Sequence, residues 1–327
     1  MNKNTLVYEN TYYSLFLYML YDKNWLESDY LIFDNRISYD FLNRLKETVH
    51  CIDENIYYNG CKRPIPKSPI RNPINFYKKK LIQKELFNQY NLIVGNIEHL
   101  DNSLVNSYKI QIEDGLGTRQ HLREGIKKTN FLSRLKKRIY FREAKKFSST
   151  KKFIIAESII AATPFKNKTI HIDIKSTWNK KTNNEKSLIL KLFNVNAVQL
   201  NTINDSFNLL LTQPLNEDNN CTEEDKIKGY RLLLKKHSFS EKSLIIKPHP
   251  KENTDYQKYF PNATIIDKDF PIELMVLLDI NVNNVITLFS TAASIFNDNS
   301  NKIIYSRAPS YFNFKEKYIK KINSLNL

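Results

Sequence analysis

The stretch Ser243-Leu-Ile-Ile-Lys-Pro-His-Pro250 predicts a short buried strand that ends in a histidine-bearing loop. Residues 244–246 are apolar and mostly β-branched, as in a strand covered on both faces of a parallel sheet. The two prolines end the strand, because proline lacks a backbone donor and disfavours helix at the preceding residue. His249 is therefore predicted to lie in an extended loop just beyond the strand.

A second stretch, Val285-Ile-Thr-Leu-Phe-Ser-Thr-Ala-Ala-Ser294, predicts a strand followed by the start of a helix. Either Ser290 or Thr291 is suited to cap a helix that begins near Ala292, because a hydroxyl oxygen accepts from a first-turn amide. A hydroxyl-capped helix N-terminus attracts anions. Since His249 also follows a strand of the same predicted sheet, we expect a phosphate group to be held between the two.

Length, composition and charge bound the function. The chain has 327 residues, 41% hydrophobic and 12% aromatic, enough for two medium-sized domains with buried cores. Among its six glycines there is no GxGxxG or Walker sequence, so a nucleotide must be bound without a Gly-rich phosphate loop. The net charge of +16 favours a partner such as nucleic acid, an anionic membrane surface or a phosphorylated glycolipid, or else reflects a solvated basic surface.

The cysteines and the N-terminus indicate the compartment. Cys51, Cys61 and Cys221 are widely spaced, and no CxxC pair or Cys/His cluster indicates zinc or another metal. A low, odd count fits a reducing compartment. No signal-peptide pattern is evident, and the apolar run Tyr12–Tyr21 is too short to span a bilayer. The sequence therefore predicts a cytoplasmic protein that is able to attach to the inner face of the cytoplasmic membrane.

Strand-like and helix-like segments alternate along most of the chain, which predicts parallel sheets with helices on their faces. The polar segment 178–186 is typical of a linker and divides the chain into residues 1–184 and 185–327. We interpret this as an α/β protein with two Rossmann-like domains that face a central cleft. Ligands in such sheets bind beyond the carboxyl ends of the strands.

One candidate general base lies in the first domain. Glu113 and Asp114 follow the predicted strand 109–112, and Gly115 gives the turn freedom for a positive φ. A carboxylate at a strand end is suited to proton abstraction. An Asp-Gly pair is also common in simple turns, but its pairing with His249 across the cleft favours a catalytic role. His249 itself is a candidate general acid or charge stabiliser.

The second domain holds further candidates for binding. Thr212 and Gln213 are placed to contact a nucleotide or donor sugar, and Lys247 adds positive charge beside the histidine loop. Glu273 is suited to accept hydrogen bonds from ribose hydroxyls, although a carboxylate in a first helical turn is also favoured by the helix dipole. Asp218 lies in an acidic loop that is also consistent with solvated surface.

Residues 119–152 interrupt the alternation with a basic, predicted helical segment. Ten of the positive residues between positions 123 and 146 are opposed by only Glu124 and Glu143, and apolar residues interleave with them. Such a stretch suits the surface of an anionic inner leaflet. The alternative is a helix packed on the first domain with a solvated basic face.

Taken in order, these motifs resemble those of a known family. Glu113-Asp114-Gly115, Lys247-Pro-His249-Pro250, Pro271-Ile-Glu273 and Ser290-Thr291 are similar to motifs of the bacterial lipooligosaccharide sialyltransferases of glycosyltransferase family 52. The strand end Thr212-Gln-Pro-Leu215 and the opening Tyr8-Glu-Asn-Thr-Tyr-Tyr13 also resemble that family. The resemblance covers nearly the whole chain, in the family's order.

The resemblance implies a GT-B fold that transfers sialic acid from CMP-sialic acid, with inversion and without a metal or other cofactor. The acceptor it implies is a galactose-terminated, lipid-linked glycan of the bacterial surface, in lipooligosaccharide or capsule. By motif, Asp114 is the base that takes the acceptor hydroxyl proton, and His249 assists departure of the CMP phosphate. Ser290 and Thr291 hold that phosphate, and Glu273 holds the ribose.

Several alternatives stay open at this point. Asp218 is a second candidate for the base. Another GT-B transferase with a CMP- or CDP-linked donor, as in the teichoic-acid glycerophosphate polymerases, has HP and serine motifs but lacks the acidic-acidic-Gly strand end. A basic nucleic-acid-binding protein also fits the charge, although no RNP, KH or zinc-finger pattern occurs and no nucleic acid is expected. A homodimer is compatible with the sequence.

Overall fold

In this computed structural model the chain divides into two compact units, Met1–Leu192 and Phe193–Leu327. The predicted boundary at 184/185 falls in the first turn of the last helix of unit 1, Asn183–Leu192, whereas the two units divide after that helix. The side chain of Arg44 donates to the carbonyl of Leu192 over 2.8 Å, which holds that helix to unit 1. The structure describes residues 3–33, 37–52, 81, 84–97, 107–115, 118, 150–156, 166–195, 207–288, 290–296 and 301–304.

Unit 1 contains a parallel sheet with the strand order β2-β1-β3-β4-β5-β6. Most residues of its inner strands are buried, whichever face of the sheet they point to, as expected where helices cover both faces of a parallel sheet. The strands are β1 (Lys3–Glu9), β2 (Asp29–Ile32), β3 (Tyr90–Gly95), β4 (Tyr108–Ile112), β5 (Lys152–Ile155) and β6 (Thr169–His171).

The helices of unit 1 begin at polar caps. Thr11 accepts from the amide of Ser14 at the start of the first helix, and Ser38 accepts from Phe41 at the start of the second. The described α-helices are α1 (Tyr12–Tyr21), α2 (Tyr39–Thr48), α3 (Ile174–Lys180) and α4 (Asn183–Leu192). Short 3-10 helices cover Trp25–Glu27 and Lys166–Lys168.

The linker predicted at residues 178–186 is wrong, because α3 and α4 occupy it. Trp178 is buried, with its ring centroid 6.5 Å from that of Phe16. Thr182 and Glu185 form a reciprocal cap. The Thr182 amide donates to Oε2 of Glu185 over 2.8 Å, and the Glu185 amide donates to the Thr182 hydroxyl over 3.2 Å. The polar composition therefore marks a helix start rather than a flexible connection.

Unit 2 contains a second parallel sheet, in the order β11-β10-β7-β8-β9. Its core joins the sheet to α5 through Leu210, Tyr230, Leu233, Ile246 and Ile286. The strands are β7 (Phe207–Leu211), β8 (Leu244–Lys247), β9 (Thr264–Ile265), β10 (Val282–Thr287) and β11 (Asn301–Ile304). The helices are α5 (Glu223–Lys236), α6 (Tyr256–Tyr259) and α7 (Glu273–Leu277), with 3-10 helices at Glu241–Ser243 and Thr291–Ile295.

The strand order places one topological switch point in each sheet. In unit 1 the chain passes from β1 to β2 on one side and then continues from β3 on the other side, so the switch point lies between β1 and β3. In unit 2 it passes from β7 to β8 and β9 and then continues with β10 and β11 on the other side, so the switch point lies between β7 and β10. In open parallel sheets, ligands bind beyond the carboxyl ends of the strands at such points. The residues that follow these strands are therefore the first place to look for a site.

Some predicted segments lie outside the described residues. They include nearly all of the basic segment 119–152. Among the helices that the structure describes, none combines the length and the apolar character needed to cross a membrane.

Candidate active site

Polar side chains collect at the switch point of unit 1. Glu9 and Asn10 lie at the end of β1, Asn96 follows β3, and Asp114 follows β4. Nδ2 of Asn96 donates to Oδ1 of Asn10 over 3.1 Å and to Oδ2 of Asp114 over 3.4 Å. Three neighbouring strand ends thus build one group of side chains, which we call the Asp114 cluster: Glu9, Asn10, Asn96, Asp114 and Thr118.

Asp114 is held by neutral donors. The Thr118 hydroxyl donates to its Oδ1 over 2.7 Å, and Asn96 donates to its Oδ2. Gly115 has a φ of +121°, so the positive φ predicted for this turn is confirmed. Asp114 itself is half-buried. Neutral donors orient a carboxylate without neutralising its charge, which is the condition that a general base requires.

The adjacent Glu113 is fully buried and has a different role. Its Oε1 accepts from the Tyr13 hydroxyl over 2.5 Å and from the amide of Ala156 over 3.0 Å. The Ser14 hydroxyl donates to the Glu113 carbonyl over 3.0 Å. Glu113 therefore ties β4 to α1 and to the end of β5, and Asp114 is the more accessible carboxylate of the pair.

Glu9 is a second buried carboxyl group beside Asp114. Burial raises its pKa well above the ordinary value; a hydrogen bond from the Asn10 backbone amide opposes that shift, and the charge of Asp114 adds to it. Gly95 makes room for it: a Cβ at that position would lie 2.2 Å from the Tyr8 carbonyl oxygen and 3.0 Å from Oε1 of Glu9. The enclosed site therefore favours the protonated form of Glu9.

The His249 loop follows β8 in unit 2, as predicted. The amide of Glu252 donates to the His249 carbonyl over 2.9 Å, and the His249 amide donates to Oε2 of Glu252 over 2.7 Å. The amide of Lys251 donates to Nδ1 of His249 over 3.1 Å. These three hydrogen bonds close a tight turn around the histidine, which we call the His249 turn (residues 249–252).

The His249 turn determines the state of the imidazole. Burial, followed by the charges of Lys247 and Lys251, lowers the pKa of His249 to about 4, against weaker effects of Asp218 and Glu217. Since Nδ1 accepts the Lys251 amide, the neutral ring carries its proton on Nε2. His249 is therefore a neutral hydrogen-bond donor at physiological pH, suited to a developing negative charge.

Thr212, Gln213 and Lys247 make contacts within unit 2. The Thr212 hydroxyl donates to Oε2 of Glu252, and the backbone amide of Gln213 donates to the Tyr230 hydroxyl over 2.8 Å. The Lys247 ammonium group donates to the carbonyls of Pro248 and Lys268, over 2.7 and 3.3 Å. Burial lowers the Lys247 pKa to about 8, although nearby carboxylates oppose that shift. These residues build the edge on which the His249 turn rests.

The helix predicted to begin near Ala292 is present as a 3-10 helix of five residues, Thr291–Ile295. Ser290 caps it and accepts from the Ala292 amide over 3.3 Å. The sequence that follows, Asn297-Asp-Asn-Ser300, favours a turn over continued helix. So short a helix aligns few peptide dipoles, and any phosphate contact here rests on the Ser290 hydroxyl and nearby amides rather than on a macrodipole.

The remaining candidates also lie in unit 2. Glu273 is buried in the first turn of α7, as predicted from the sequence. Asp218 pairs with Lys251 over 3.0 Å, with side-chain exposures of 43% and 50%, so it is a solvated carboxylate next to the His249 turn. It therefore differs from the oriented, half-buried Asp114.

Sequence reasoning missed the buried pair Lys226 and Glu252, whose ammonium and carboxylate groups lie 3.0 Å apart. One signal was present: Lys226 shares the apolar stripe of α5 with Tyr230 and Leu233, at spacings of four and seven residues. A lysine on the buried face of a helix requires a partner. Within the described part of the chain, no group of three or more His, Cys, Asp or Glu side chains is placed to hold a metal ion.

With this geometry in place, comparison with known proteins identifies the family. The model of "Glycosyltransferase family 52" matches residues 76–309, more than half of the chain. The chain belongs to glycosyltransferase family 52. A curated relative, an uncharacterized protein of Haemophilus influenzae, is 36% identical over 206 residues. That match spans 62% of this chain and 64% of the relative, which is less than two thirds of its length.

Solved structures agree on the fold. The GT-B domain of a sialyltransferase from Photobacterium damselae covers 98% of this chain with a TM-score of 0.53 at 12% identity, and 96% of that structure is matched. An α/β-galactoside α-2,3-sialyltransferase from Photobacterium phosphoreum covers 99%, with a TM-score of 0.54 at 13% identity and 96% of its own chain matched. A 2,6-sialyltransferase from Photobacterium sp. JT-ISH-224, in complex with CMP and lactose, covers 99%, with a TM-score of 0.59 at 12% identity and 76% of its own chain matched. The two parallel sheets of this family 52 protein are those of a GT-B fold, which confirms the predicted fold class.

Proposed function

We propose that this family 52 protein is a sialyltransferase that moves sialic acid from CMP-sialic acid to a sugar hydroxyl. The observation that carries the proposal is the family membership, together with polar groups at the switch point of each sheet. Asp114 is oriented by Thr118 and Asn96 in unit 1, and His249 is held as an Nε2–H donor in unit 2. A structural neighbour, the 2,6-sialyltransferase crystallised with CMP and lactose, supports this choice of donor and acceptor class.

In the proposed reaction Asp114 takes the proton of the acceptor hydroxyl. The resulting oxygen attacks the anomeric carbon of sialic acid, the bond from that carbon to the CMP phosphate oxygen breaks, and the configuration inverts in a single displacement. The leaving phosphate oxygen, on which negative charge develops, accepts a hydrogen bond from Nε2–H of His249. A neutral donor suits this step, because its N–H stabilises the leaving oxygen through a hydrogen bond while the ring keeps its proton.

The remaining donor contacts in the proposal follow from position. Ser290 and Thr291 follow β10 and bind the phosphate, and Glu273 accepts from the ribose hydroxyls. Thr212, Gln213 and Lys247 support the nucleotide at the ends of β7 and β8. Neither a metal nor another cofactor takes part, so full activity is expected in excess EDTA.

The acceptor class in the proposal is a galactose-terminated glycan. Its lipid-linked form, as in lipooligosaccharide or capsule biosynthesis, would be met at the inner face of the cytoplasmic membrane. A peripheral location there agrees with the net charge of +16. The transfer assay determines the acceptor linkage, and light scattering determines whether the protein is a homodimer.

The test is a transfer assay with CMP-sialic acid and lactose, in which CMP release and sialylated product are followed with and without EDTA. Asp114→Asn is expected to abolish transfer while CMP affinity, measured by calorimetry, stays near that of the wild type. Asp218→Asn is the matched comparison, and it should retain transfer because its exposed carboxylate is not oriented for proton abstraction.

Three outcomes would count against parts of the proposal. Loss of transfer in Asp218→Asn with activity kept in Asp114→Asn would move the base to Asp218. Activity with CDP-glycerol but not CMP-sialic acid would favour the glycerophosphotransferase alternative. Binding of RNA at physiological salt, with no transfer from either donor, would favour the nucleic-acid alternative.

A further inference from the structure

The carboxylate of Glu252 is the centre of a buried hydrogen-bond network under the His249 turn. Its Oε2 accepts from the His249 amide over 2.7 Å and also from the Thr212 hydroxyl. Its Oε1 accepts from the Tyr256 hydroxyl over 2.6 Å and from the Lys226 ammonium group over 3.0 Å. One side chain thus joins the ends of β7 and β8 to α5 and α6.

Lys226 neutralises this carboxylate and is itself enclosed. Its side chain is fully buried, its Nζ donates to the Thr254 hydroxyl over 2.7 Å, and Oε2 of Glu217 lies 3.5 Å away. The ammonium group also lies 5.5 Å from the centroid of the Tyr256 ring. Each donor of the lysine therefore has a partner inside unit 2.

Burying such an ion pair is a poor way to gain stability. The desolvation of two charges offsets most of their attraction, and a well-packed apolar pair is often as stable or more so. Directional hydrogen bonds, by contrast, fix geometry. All four donors to Glu252 belong to segments at or below the His249 turn, so the geometry that the network fixes is that of the turn.

We propose that Glu252, held by Lys226, is the positioning residue of the His249 turn. The carboxylate anchors the His249 amide, which fixes the turn in which the Lys251 amide meets Nδ1 of the imidazole. Glu252 thereby sets the ring orientation and keeps the donating proton on Nε2. The catalytic consequence rests on the proposed function, whereas the effect on the imidazole does not.

The experiment uses the full chain with Glu252→Gln and Lys226→Met. The amide of glutamine matches the carboxylate in shape, but it carries no charge and only one of its two terminal atoms accepts. The matched control is Lys181→Met, because Lys181 and Glu185 form an ion pair of the same 3.0 Å length in unit 1, with a buried lysine and a half-buried carboxylate. Circular dichroism confirms folding, and nitrogen NMR reports the tautomer and titration midpoint of His249, assigned with His249→Asn.

In wild type we expect the Nε2–H tautomer with a midpoint near 4. In Glu252→Gln we expect a mixture of tautomers, a midpoint that moves toward 6.5, and a kcat reduced by about 10- to 100-fold with a much smaller change in KM for CMP-sialic acid. Lys226→Met is expected to change the same observables in the same direction. Lys181→Met should leave the tautomer, the midpoint and kcat unchanged.

An unchanged tautomer and midpoint in Glu252→Gln, with a kcat no lower than in Lys181→Met, would overturn the proposal. If wild type transfers no sialic acid, the proposed function fails while the NMR comparison still decides the role of Glu252. If Glu252→Gln does not fold, Thr212→Val removes one donor to the carboxylate. The same displacement of the His249 midpoint is then expected at smaller size, and its absence would equally overturn the proposal.

Discussion

The backbone amide of Lys251 donates to Nδ1 of His249 over 3.1 Å, and this contact decides which nitrogen of the imidazole carries the proton. A protonated ring would need a hydrogen on Nδ1, where the amide hydrogen already points. Burial and the nearby lysine charges act in the same direction and hold the pKa at about 4. The histidine of this loop is thus built to donate from Nε2 without becoming a cation.

The first prediction concerns stability against pH. The folded pKa of His249 is about 4 and the unfolded value is about 6.5, so between these values the unfolded chain binds more protons. The contribution of His249 to stability is therefore full above pH 6.5 and is lost as the pH falls toward 4. In urea unfolding from pH 7.5 to 4, the wild type should lose stability relative to His249→Asn. Parallel stability curves for the two proteins would contradict this.

The second prediction concerns transfer by His249→Ala. Removal of a donor to the leaving phosphate should lower kcat by about 10²- to 10³-fold. The fold should survive, because the residue lies in a loop beyond β8 and contributes little to the core. His237→Ala is the control, since His237 is a helix-end histidine that stacks on Phe239 with centroids 5.8 Å apart. Wild-type turnover in His249→Ala would remove His249 from the mechanism.

The third prediction concerns Thr118→Val, which keeps the shape of the side chain and removes the donor to Asp114. A carboxylate that is free to rotate spends less time in the productive orientation, so kcat should fall by about tenfold. CMP affinity should not change, because Thr118 lies in unit 1 and the proposed nucleotide contacts lie in unit 2. Calorimetry and steady-state kinetics check both statements, and a raised Kd for CMP would count against this assignment.

How much of this arrangement was predictable depends on how local each signal is. The strand Leu244–Lys247 lies where the sequence predicts it, because it is an apolar run that ends at a clear stop, Pro248. Asp114 and His249 were predictable for the same reason. Each follows a strand that the apolar pattern predicts; Asp114 precedes Gly115, and His249 lies between two prolines.

The partners of these residues were not predictable. Lys226 and Glu252 are far apart in sequence and meet only because α5 packs beneath the end of β8, so no local pattern pairs them. The sequence around Glu9 indicates only the polar end of a strand. Its enclosure depends on the close approach of β3 at Gly95, which the sequence does not show. The helix expected from Ala292 is present only as a 3-10 helix of five residues, and the Asn- and Asp-rich sequence after Phe296 competes with helix for backbone hydrogen bonds.

The fourth prediction concerns Glu9→Gln. Because burial raises the folded pKa of Glu9 above its unfolded value, its contribution to stability is full below about pH 4.5 and is lost as the pH rises. Glutamine mimics the neutral carboxyl at all pH values. The variant should therefore gain stability over wild type at pH 8 relative to pH 4, by about 1.4 kcal/mol for each unit of pKa difference.

Glu185→Gln is the control of opposite sign. Although burial raises the pKa of Glu185, hydrogen bonds from Thr182 and Lys181 lower it by more. That variant should lose stability at pH 8 relative to pH 4. Thermal unfolding of the three proteins at both pH values makes the comparison. A Glu9→Gln variant that behaves like Glu185→Gln would show that Glu9 is ionised in the folded chain.

The last prediction concerns the basic segment 119–152, which lies almost entirely outside the described residues. Between positions 123 and 146 it has ten positive residues against two glutamates, and these are expected to attract anionic lipid, at about 1 kcal/mol for each Lys or Arg near the surface at low salt. Changing Lys136, Lys137 and Arg138 together to Glu should then reduce sedimentation with anionic vesicles and leave neutral vesicles unbound, as in wild type. The same charge change at Lys235, Lys236 and Lys242 of unit 2, all exposed, controls for net charge. Equal loss in both triple variants would assign the binding to overall charge, and no binding by wild type would leave the segment as plain basic surface.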